Sequence, residues 1–394
     1  MRLQQIVLIE VAAALVLIAW VSNKVLLVPF GAVATVLVLL AVVSRHRRPL
    51  PEWLATAFAL RARQRRANGE TPPPGLDPGF IPAVECDPAL RTYTYIDRDR
   101  RSVGMVGDGT FLTAVLLVQP ADEPLRPGRS ERPLPVDLLH EALEVDGIVL
   151  ESVQVVQHTR PAPAIHLPPQ AAAVRSYTPL QAQTGTPGRR LTWIALKLDP
   201  DLCPEAIEAR GGGLRGAQRA VLRAADQLAG RLTAAGFTVS VLDEPGLVSA
   251  IATSACASTR ATTGPGGGPG GTGQPATRRT SEKARVWRCD DRWHTTYWIS
   301  RWPQLPAGRL PDLVNLLTSV PAMAGTFALT ATRGTGGSRA LTAYVRITAR
   351  SDTELIAARR ELVRHANGVK VGLVRLDREQ LPGVLATLPL GGTR

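Results

Sequence analysis

The stretch LDEPGLVSAIAT (residues 242–253) occurs a second time, near the end of the chain, as LDREQLPGVLAT (residues 376–387). Six positions agree at a constant offset: two Leu, an Asp, an Ala and a Thr are identical, and an Ile is replaced by Leu. In both places an apolar strand pattern comes before the stretch, and the stretch itself predicts a short helix. A segment that returns with similar surroundings indicates an internal duplication.

The elements predicted around the two copies follow one order: strand, helix, strand, strand, helix, strand and a closing helix. In the first stretch they cover residues 109–119, 136–145, 148–159, 190–198, 213–235, 237–242 and 246–254. In the second they cover residues 293–302, 310–319, 325–333, 339–349, 352–367, 369–376 and 380–388. This is the order of a ferredoxin-like split β-α-β unit. The predicted fold class is therefore α+β, with two tandem ferredoxin-like units behind an N-terminal transmembrane hairpin.

Composition divides the 394 residues into five segments. We expect a transmembrane hairpin over residues 1–48, and a juxtamembrane helix with a Pro-rich spacer over residues 49–84. The first α/β unit would cover residues 85–255 and the second residues 285–394. Residues 256–284 are rich in Gly, Pro and Thr, a composition that cannot bury a core and is typical of a flexible linker.

Two apolar stretches at the N-terminus predict the hairpin. Residues 3–21 are apolar apart from Gln4, Gln5 and Glu10, and residues 25–43 carry no charge. Each approaches the about 20 residues needed to cross about 30 Å of hydrocarbon. Only three residues separate them, so the two helices would be antiparallel.

Basic residues set the expected orientation. Arg45, Arg47 and Arg48 follow the second stretch, and Arg2 precedes the first. The positive-inside rule then places both chain termini in the cytoplasm of a multi-pass protein of the plasma membrane.

Glu10 is the unusual residue of the first stretch, because a carboxylate inside a bilayer costs about 2.5–3.5 kcal/mol. In an antiparallel hairpin it faces Thr35, which could donate a hydrogen bond, and Gly31 would allow the two helices to approach closely. A contact with another subunit is the functional hypothesis. A protonated or snorkelling carboxylate without a partner is the alternative.

Residues 52–68 predict a helix that begins with an apolar patch, which includes Trp53 and Phe58, and ends in arginines. Such a helix can lie on anionic lipids or bind a partner. Packing against the chain's own folded part is the other interpretation.

The net charge of +13 does not indicate a nucleic-acid binder. Residues 45–66 hold seven Arg against one Glu, and residues 278–288 hold four Arg and one Lys against one Glu. These two stretches supply +6 and +4, so the rest of the chain is close to neutral. A nucleic-acid-binding domain carries its basic residues on a folded face instead.

Motifs for catalysis are weak. The chain has no P-loop, no GxSxG elbow and no CxxC pair among its four cysteines. Gly104, Gly107 and Gly109 suit a turn better than a dinucleotide, and His140 with Glu141 lacks the second zincin histidine. The sequence thus predicts no catalytic residue, cofactor, metal ion or small-molecule substrate.

Asp290 and Asp291 are the one pair that offers an enzyme hypothesis. Two acids before a strand could hold a metal ion beside a sugar nucleotide, as in a membrane-tethered, glycosyltransferase-like enzyme. Adjacent acids at a strand end are also common without function. An assembly subunit is the leading interpretation and the enzyme is the alternative.

Three strand sequences resemble the EccE family of the actinobacterial ESX (type VII) secretion system: RLTWIALKLDP (residues 190–200), WHTTYWI (residues 293–299) and LTAYVR (residues 341–346). The resemblance implies a non-catalytic subunit of an inner-membrane complex. It also implies as partners EccB, the FtsK-like ATPase EccC, EccD and the mycosin protease, together with membrane lipids. The family has no catalytic residues to carry over to this chain.

Overall fold

A computed structural model describes most of the chain. It covers residues 3–22, 29–35, 44–45, 48–69, 73, 75–120, 133–161, 167–168, 170–184, 188–258, 278–304, 306, 308–334 and 339–392. The chain divides into two compact units, Met1–Gly69 and Glu70–Arg394.

The first unit is mainly helical. It contains α1 (Leu3–Ser22), a helical stretch over residues 29–35, and α2 (Leu50–Gly69). Two short strands, Ser44–Arg45 and Arg48–Pro49, pair antiparallel just before α2. Within the described ranges, no helix combines the length and the apolar character that a membrane crossing requires.

The predicted fold class is therefore wrong in its N-terminal transmembrane hairpin, and the multi-pass topology that rested on it has no support. One physical reason lies in α1, where Glu10 interrupts the apolar sequence. The run that remains, residues 11–21, spans about 16 Å at about 1.5 Å per residue, roughly half of the hydrocarbon thickness. Most of the second predicted span, over residues 23–28 and 36–43, lies outside the described residues.

The second unit is a mixed α/β domain built on one antiparallel sheet of twelve strands. In chain order the strands are β1 (Arg91–Ile96), β2 (Ser102–Gly107), β3 (Leu112–Pro120), β4 (Ser152–Arg160), β5 (Arg189–Leu198), β6 (Phe237–Val241), β7 (Thr280–Glu282), β8 (Trp287–Cys289), β9 (Arg292–Arg301), β10 (Ala324–Arg333), β11 (Arg339–Ala349) and β12 (Gly372–Arg375). A small hairpin, Glu144–Val145 with Ile148–Val149, stands apart from this sheet.

The helices of this unit lie between and after the strands. They are α3 (Ile81–Cys86), α4 (Val136–Glu141), α5 (Ala172–Thr184), α6 (Pro204–Glu208), α7 (Gly213–Ala234), α8 (Glu244–Ser254), α9 (Leu310–Thr318), α10 (Asp352–Gly368) and α11 (Gln380–Leu385), with a short 3-10 turn at Pro200–Leu202. The predicted linker falls largely on residues 259–277, which lie outside the described residues, and its end forms β7.

The sheet order is β7-β8-β9-β11-β10-β4-β5-β3-β2-β1, with β6 beside β3 and β12 beside β9. The first half thus pairs in the order β6-β3-β5-β4, and the second half in the order β12-β9-β11-β10. Equivalent strands occupy equivalent places in the two halves. The hairpin β1–β2 ahead of β3 also has its counterpart in β7–β8 ahead of β9, an element that the sequence patterns did not show.

The two halves meet at β4 and β10, which are equivalent strands. They pair antiparallel from Gly325 opposite Thr159 to Thr332 opposite Ser152. Antiparallel pairing of equivalent strands is the arrangement that a local two-fold axis produces. The two duplicated stretches therefore share one continuous sheet.

Each face of the sheet is covered by its own helices. On one face, α4 and α7 pack on the first half, and α9 and α10 pack on the second. On the other face, which we call the polar face because buried polar side chains cross it, α3, α8 and α11 pack on the sheet. Helix α7 shows why the first layer forms: Val221, Leu228 and Leu232 recur at helical spacing and are fully buried. Burying each such side chain contributes about 1.5–3 kcal/mol.

Gly104 belongs to β2, so the predicted turn is wrong at this position. A Cβ atom there would lie 2.5 Å from the backbone carbon of Asp243 and from the backbone nitrogen of Glu244. Its N–H donates to the carbonyl of Leu242 at 2.9 Å. Gly107 is also in β2, and only Gly109, with φ of 97°, lies in the turn that follows. Glycine at 104 thus allows the start of α8 to rest directly on the strand.

We predict that Gly104→Ala lowers the free energy of unfolding by about 2 kcal/mol, because the added methyl group overlaps backbone that cannot move alone. Chemical denaturation followed by circular dichroism measures the change. Gly230→Ala is the matched control: Gly230 lies in α7 with open space around it. That control should raise stability by up to about 1 kcal/mol. Equal effects of both variants would contradict the close approach.

Candidate functional site

The described hairpin residues lie on α1, on the helical stretch over residues 29–35 and in the two short strands of the first unit. Glu10 is exposed on α1. The Thr35 hydroxyl donates to the Gly31 carbonyl at 2.8 Å, so its proton is used within its own helix. Arg45 and Arg48 lie in the two short strands, and Arg47 lies outside the described residues.

Helix α2 presents an apolar and basic stripe. The Phe58 side chain is 62% exposed and Leu54 is 36% exposed, whereas Trp53 is partly buried. Arg61 and Arg65 follow Phe58 at helical spacing and are both exposed. Residues spaced three or four apart share one face of a helix. The stripe can therefore bind a surface that is both apolar and acidic.

Asp290 does not have the geometry of a metal ligand. It lies in the turn between β8 and β9 with φ of 52°. Its carboxylate accepts hydrogen bonds from Arg279 at 2.7 and 2.8 Å and from the Ser258 amide at 2.8 Å. Asp291 is mostly exposed and pairs with Arg292 at 3.0 Å. The two acids thus have different roles. Asp290 stabilises the turn between β8 and β9, whereas Asp291 forms an exposed ion pair.

The ionisation of Asp290 reflects this environment. Partial burial opposes ionisation, but the hydrogen bonds from Arg279 and from the Ser258 amide outweigh it and hold the pKa of Asp290 below its usual range. The paired Arg279 has its pKa raised, chiefly by its hydrogen bonds to Asp290. An ion pair of this kind favours the folded state as long as the carboxylate is charged.

The other sequence candidates also serve structure. Glu141 pairs with Arg231 of α7 at 2.7 Å, and His140 makes no hydrogen bond within the described part of the chain. The Asp199 side chain accepts the Asp201 amide at 3.0 Å, at the start of the 3-10 turn. Over the ranges that the structure describes, no three His, Cys, Asp or Glu side chains come together as a metal site.

The sequence patterns did not reveal that buried polar residues cross the polar face in rows. One row runs from Thr296 through Arg346 and Thr326 to His158, each directly opposite the next on neighbouring strands. A second row joins Thr330 and Gln154. All of these side chains are at most 5% exposed. Register alone brings them together, because they come from four different strands.

Arg346 is the most unusual member of these rows. Its guanidinium is fully buried and donates to the backbone carbonyl and the hydroxyl of Ser254, at the end of α8. Its Nε and Nη1 atoms have no partner among the described residues. The ionisable groups close to it include the thiols of Cys86, Cys256 and Cys289, and burial lowers the pKa of Arg346.

Burial also keeps the histidines near Arg346 neutral. It lowers the pKa of His158 to about 3, with help from the charges of Arg160 and Arg346, and it lowers the pKa of His294 as well. The His294 ring instead hydrogen-bonds the Thr348 hydroxyl at 2.9 Å. Burial raises the pKa of the Cys289 thiol. These groups pack the interior and are poor candidates for acid–base or nucleophilic catalysis.

The C-terminal segment, residues 386–392, lies across the second polar row. Gln154 donates to the carbonyl of Ala386 at 2.8 Å and accepts the amide of Gly391 at 2.9 Å. The hydroxyls of Ser152 and Thr113 donate to the carbonyls of Gly391 and Leu390. Gln154 of this row, together with Ser152 and Thr113, therefore supplies hydrogen-bond partners to the backbone of this segment.

A cavity of about 210 Å³ opens beside this segment. It is lined by Asp87, Leu90, Asp108, Thr110, Phe111, Lys197, Leu385, Leu390 and Gly392. The Lys197 ammonium pairs with Glu151 at 3.2 Å and lies 4.2 Å from the centre of the Phe111 ring. Hydrogen bonds from the hydroxyl and the amide of Thr110 outweigh partial burial and hold the pKa of Asp108 down. Two charged residues that line the cavity, Lys197 and Asp108, are therefore already bound to other groups of the protein.

The family comparison matches residues 186–299 of the chain. The matching family is described as "Putative type VII ESX secretion system translocon, EccE". The matched segment begins just before β5 and ends inside β9, so it contains α7, β6, α8, β7 and β8. It includes two of the three strand sequences that resembled this family, and it confirms that resemblance.

Comparisons with curated proteins and with solved structures give no further indication of function. No curated protein matches the chain. Among solved structures, an alkyldihydroxyacetonephosphate synthase aligns with 8% identity and a TM-score of 0.27, over 69% of this chain and 42% of that one. A likeness at that level carries no argument about fold or activity.

We predict that Asp290→Asn lowers the free energy of unfolding by about 1.5–3 kcal/mol near neutral pH, since the half-buried guanidinium of Arg279 loses the carboxylate that it binds. Because the folded-state pKa of Asp290 is depressed, the difference is complete above the unfolded-state pKa of about 3.9. It should shrink as the pH falls through the lower folded-state value. Urea unfolding at several pH values measures it, and Asp291→Asn, at an exposed pair, should change stability by less than about 0.5 kcal/mol.

We also predict that Gln154→Leu loosens residues 386–392, because a buried amide and a buried carbonyl lose their partner, at a cost of about 2–4 kcal/mol in stability. Hydrogen exchange should then speed up at Gly391. Gln157→Leu on the same strand is the control, because Gln157 makes no side-chain hydrogen bond within the described residues. Unchanged exchange at Gly391 in the Gln154 variant would show that the segment is held by other contacts.

Proposed function

We propose, from the membership of residues 186–299 in the EccE family, that this chain is a non-catalytic structural subunit of a type VII (ESX) secretion system. The family match carries the proposal, because the family's description names the translocon of that system. On this proposal the chain supplies a large rigid sheet to a membrane-associated complex, and another subunit supplies the energy for transport.

The proposed partners are the other membrane subunits of the complex: EccB, the ATPase EccC, EccD and the mycosin protease. Membrane lipids complete the set, whereas no nucleic acid and no small-molecule substrate is proposed. We assign the sheet domain to the cytoplasmic side of the complex. In support, all four cysteines are free, as suits a reducing compartment.

The first unit is the proposed contact region. On α1, Leu17, Ile18 and Trp20 expose more than half of their surface, and Phe58 does so on α2. Exposed apolar side chains that lie close together mark interaction sites more often than inert surface. We propose that Glu10, Gly31, Thr35, Trp53, Phe58 and the arginines at 45, 47 and 48 contribute to this region.

The alternative function, a membrane-tethered enzyme of the glycosyltransferase type, depends on Asp290 and Asp291. Arg279 and the Ser258 amide already occupy the carboxylate of Asp290. An acid engaged in this way would have to give up its ion pair before it could bind a metal ion. We therefore prefer the structural role.

The test of the proposal is purification of the tagged full chain in mild detergent, followed by mass spectrometry. We expect a large complex that contains the FtsK-like ATPase and the other ESX membrane subunits. Recovery of the chain alone, under conditions that keep other membrane complexes intact, would contradict the proposal.

Substitution of Phe58 tests the contact region separately. We expect Phe58→Ser to reduce the recovered partners by roughly tenfold, because a buried aromatic anchor typically contributes more than about 1.4 kcal/mol to an interface. Leu202→Ser is the matched control, since Leu202 is an exposed leucine of the second unit. Equal recovery from the two variants would remove Phe58 from the interface.

A further inference from the structure

The two ends of the twelve-stranded sheet are equivalent by duplication but are finished differently. At one end, β7 is only three residues long, and the outward N–H group of Thr280 is bonded to a side chain of the same protein. The Glu85 carboxylate of α3 accepts the amides of Arg279 at 2.9 Å and Thr280 at 2.7 Å. This edge is closed by a carboxylate of the chain itself.

At the other end, β1 pairs with β2 alone, and no described residue pairs with its outer side. Backbone bonding shows which residues face outward. Gly104 of β2 donates its N–H to Leu242, on the side of β2 away from β1. Thr94, directly opposite Gly104, therefore belongs to a pair that exchanges no hydrogen bonds.

The same alternation places every second residue of β1 at the open edge. Thr92, Thr94 and Ile96 turn their N–H and C=O groups outward, whereas Tyr93 and Tyr95 bond to β2. The Asp97 amide, which donates to the Arg101 carbonyl at 3.1 Å, gives the same phase. Three backbone N–H groups and three backbone carbonyls thus point outward along the open edge of β1.

This edge is fixed to α8 by side-chain hydrogen bonds and carries few of the features that protect sheet edges. The Thr92 and Thr94 hydroxyls both donate to the Glu244 carboxylate at the start of α8, which fixes the strand on the polar face. Ile96 is 65% exposed. The strand contains no proline and no lysine, and natural proteins commonly use such residues, bulges or a covering helix to block an edge.

Exposed arginines lie at both ends of the edge. Arg91 is exposed at the start of β1, and Arg98 and Arg100 are exposed in the turn that follows it. Among the acids, Asp97 and Asp226 are engaged with Arg101, and the half-buried Glu244 accepts hydrogen bonds from Thr92 and Thr94. Asp99 is the remaining acid of the turn. Acidic side chains in an extended segment would pair with these arginines. At the equivalent edge, β7, the carboxylate of Glu85 likewise accepts backbone N–H groups.

We propose that β1 is a docking edge for an extended, acidic segment of another subunit, which adds to the sheet as a thirteenth strand. Main-chain hydrogen bonds to Thr92, Thr94 and Ile96 would provide the affinity, and Arg91, Arg98 and Arg100 would select for acid. The inference rests on the proposed function, because it takes the incoming strand from a partner in the secretion complex.

Hydrogen exchange resolved to single residues tests it on the full chain, alone and in the purified complex. In the isolated chain, we expect the amides of Thr92, Thr94 and Ile96 to exchange rapidly and those of Tyr93 and Tyr95 to be protected. In the complex, all five should be protected. Unprotected amides of Thr92, Thr94 and Ile96 in the assembled complex would overturn the inference and leave the proposed function intact.

Two further outcomes are distinct. Protection of the three amides in the isolated chain, together with a dimer mass by light scattering, would assign the edge to a second copy of the chain and overturn the proposed occupant. Absence of any secretion subunit from the purified material would overturn the proposed function, and the occupant with it.

Substitution of Thr94 gives a second measurement. Thr94→Pro blocks the outward edge without removing a hydrogen bond to β2, so recovery of the partner should fall by roughly tenfold. Thr94→Val is the matched control, because it also loses the contact with Glu244 but keeps the outward N–H. Equal recovery from the two variants would overturn the proposal, provided that circular dichroism shows both to be folded.

Discussion

The backbone ladder between β4 and β10 is the contact on which the rest of the second unit depends. Eight residues of β4 pair with eight of β10, and this ladder turns two duplicated halves into one sheet. Without it, each half would expose a long apolar edge strand, the kind of surface that leads to aggregation. The same ladder determines which residues meet across the seam, because a slip by one residue would turn every side chain to the opposite face. The row from Thr296 to His158 exists only in this register.

The polar face shows how such a seam is covered. Each half provides one closing helix, α8 or α11, and the rows of polar side chains between them would carry unsatisfied groups if they met only apolar atoms. The C-terminal segment meets part of that need, because Gln154, Ser152 and Thr113 bind its backbone. The hydroxyls of Thr296 and Thr330 have no hydrogen-bond partner among the described residues. Arg346 is satisfied only in part, through Ser254. A buried charge of this kind is costly, and its retention favours one arrangement of α8 over others that would leave the guanidinium with no partner at all.

The structural role proposed for this chain requires rigid surfaces more than a pocket, and the distribution of polar groups fits that proposal. The titratable side chains of the interior include His158 and His294, whose pKa values burial lowers, and acids engaged by arginine and by backbone amides. Arg346 is a buried cation among them. The groups left open lie at the periphery, on α1, on α2 and along β1. The two sheet ends are equivalent in the repeat but differ in detail: at β7 the Glu85 carboxylate accepts the Thr280 amide, whereas β1 pairs only with β2 among the described residues.

The sequence by itself determined the repeated order of strands and helices, since apolar periodicity is a local property and the stretch at 242–253 returns at 376–387. It also determined the family resemblance, and it left no motif strong enough to predict catalysis. It did not show the short strands β1, β2, β7 and β8, because glycines, charged residues and half-exposed threonines hide their alternation. The transmembrane hairpin was expected from hydropathy alone, and no described helix supports it. Only the tertiary structure decided that the two halves share a sheet, that Arg346, Thr326 and His158 lie side by side, and that Asp290 belongs to an ion pair. These facts depend on register between strands far apart in sequence, and periodicity within one strand carries no information about its partner.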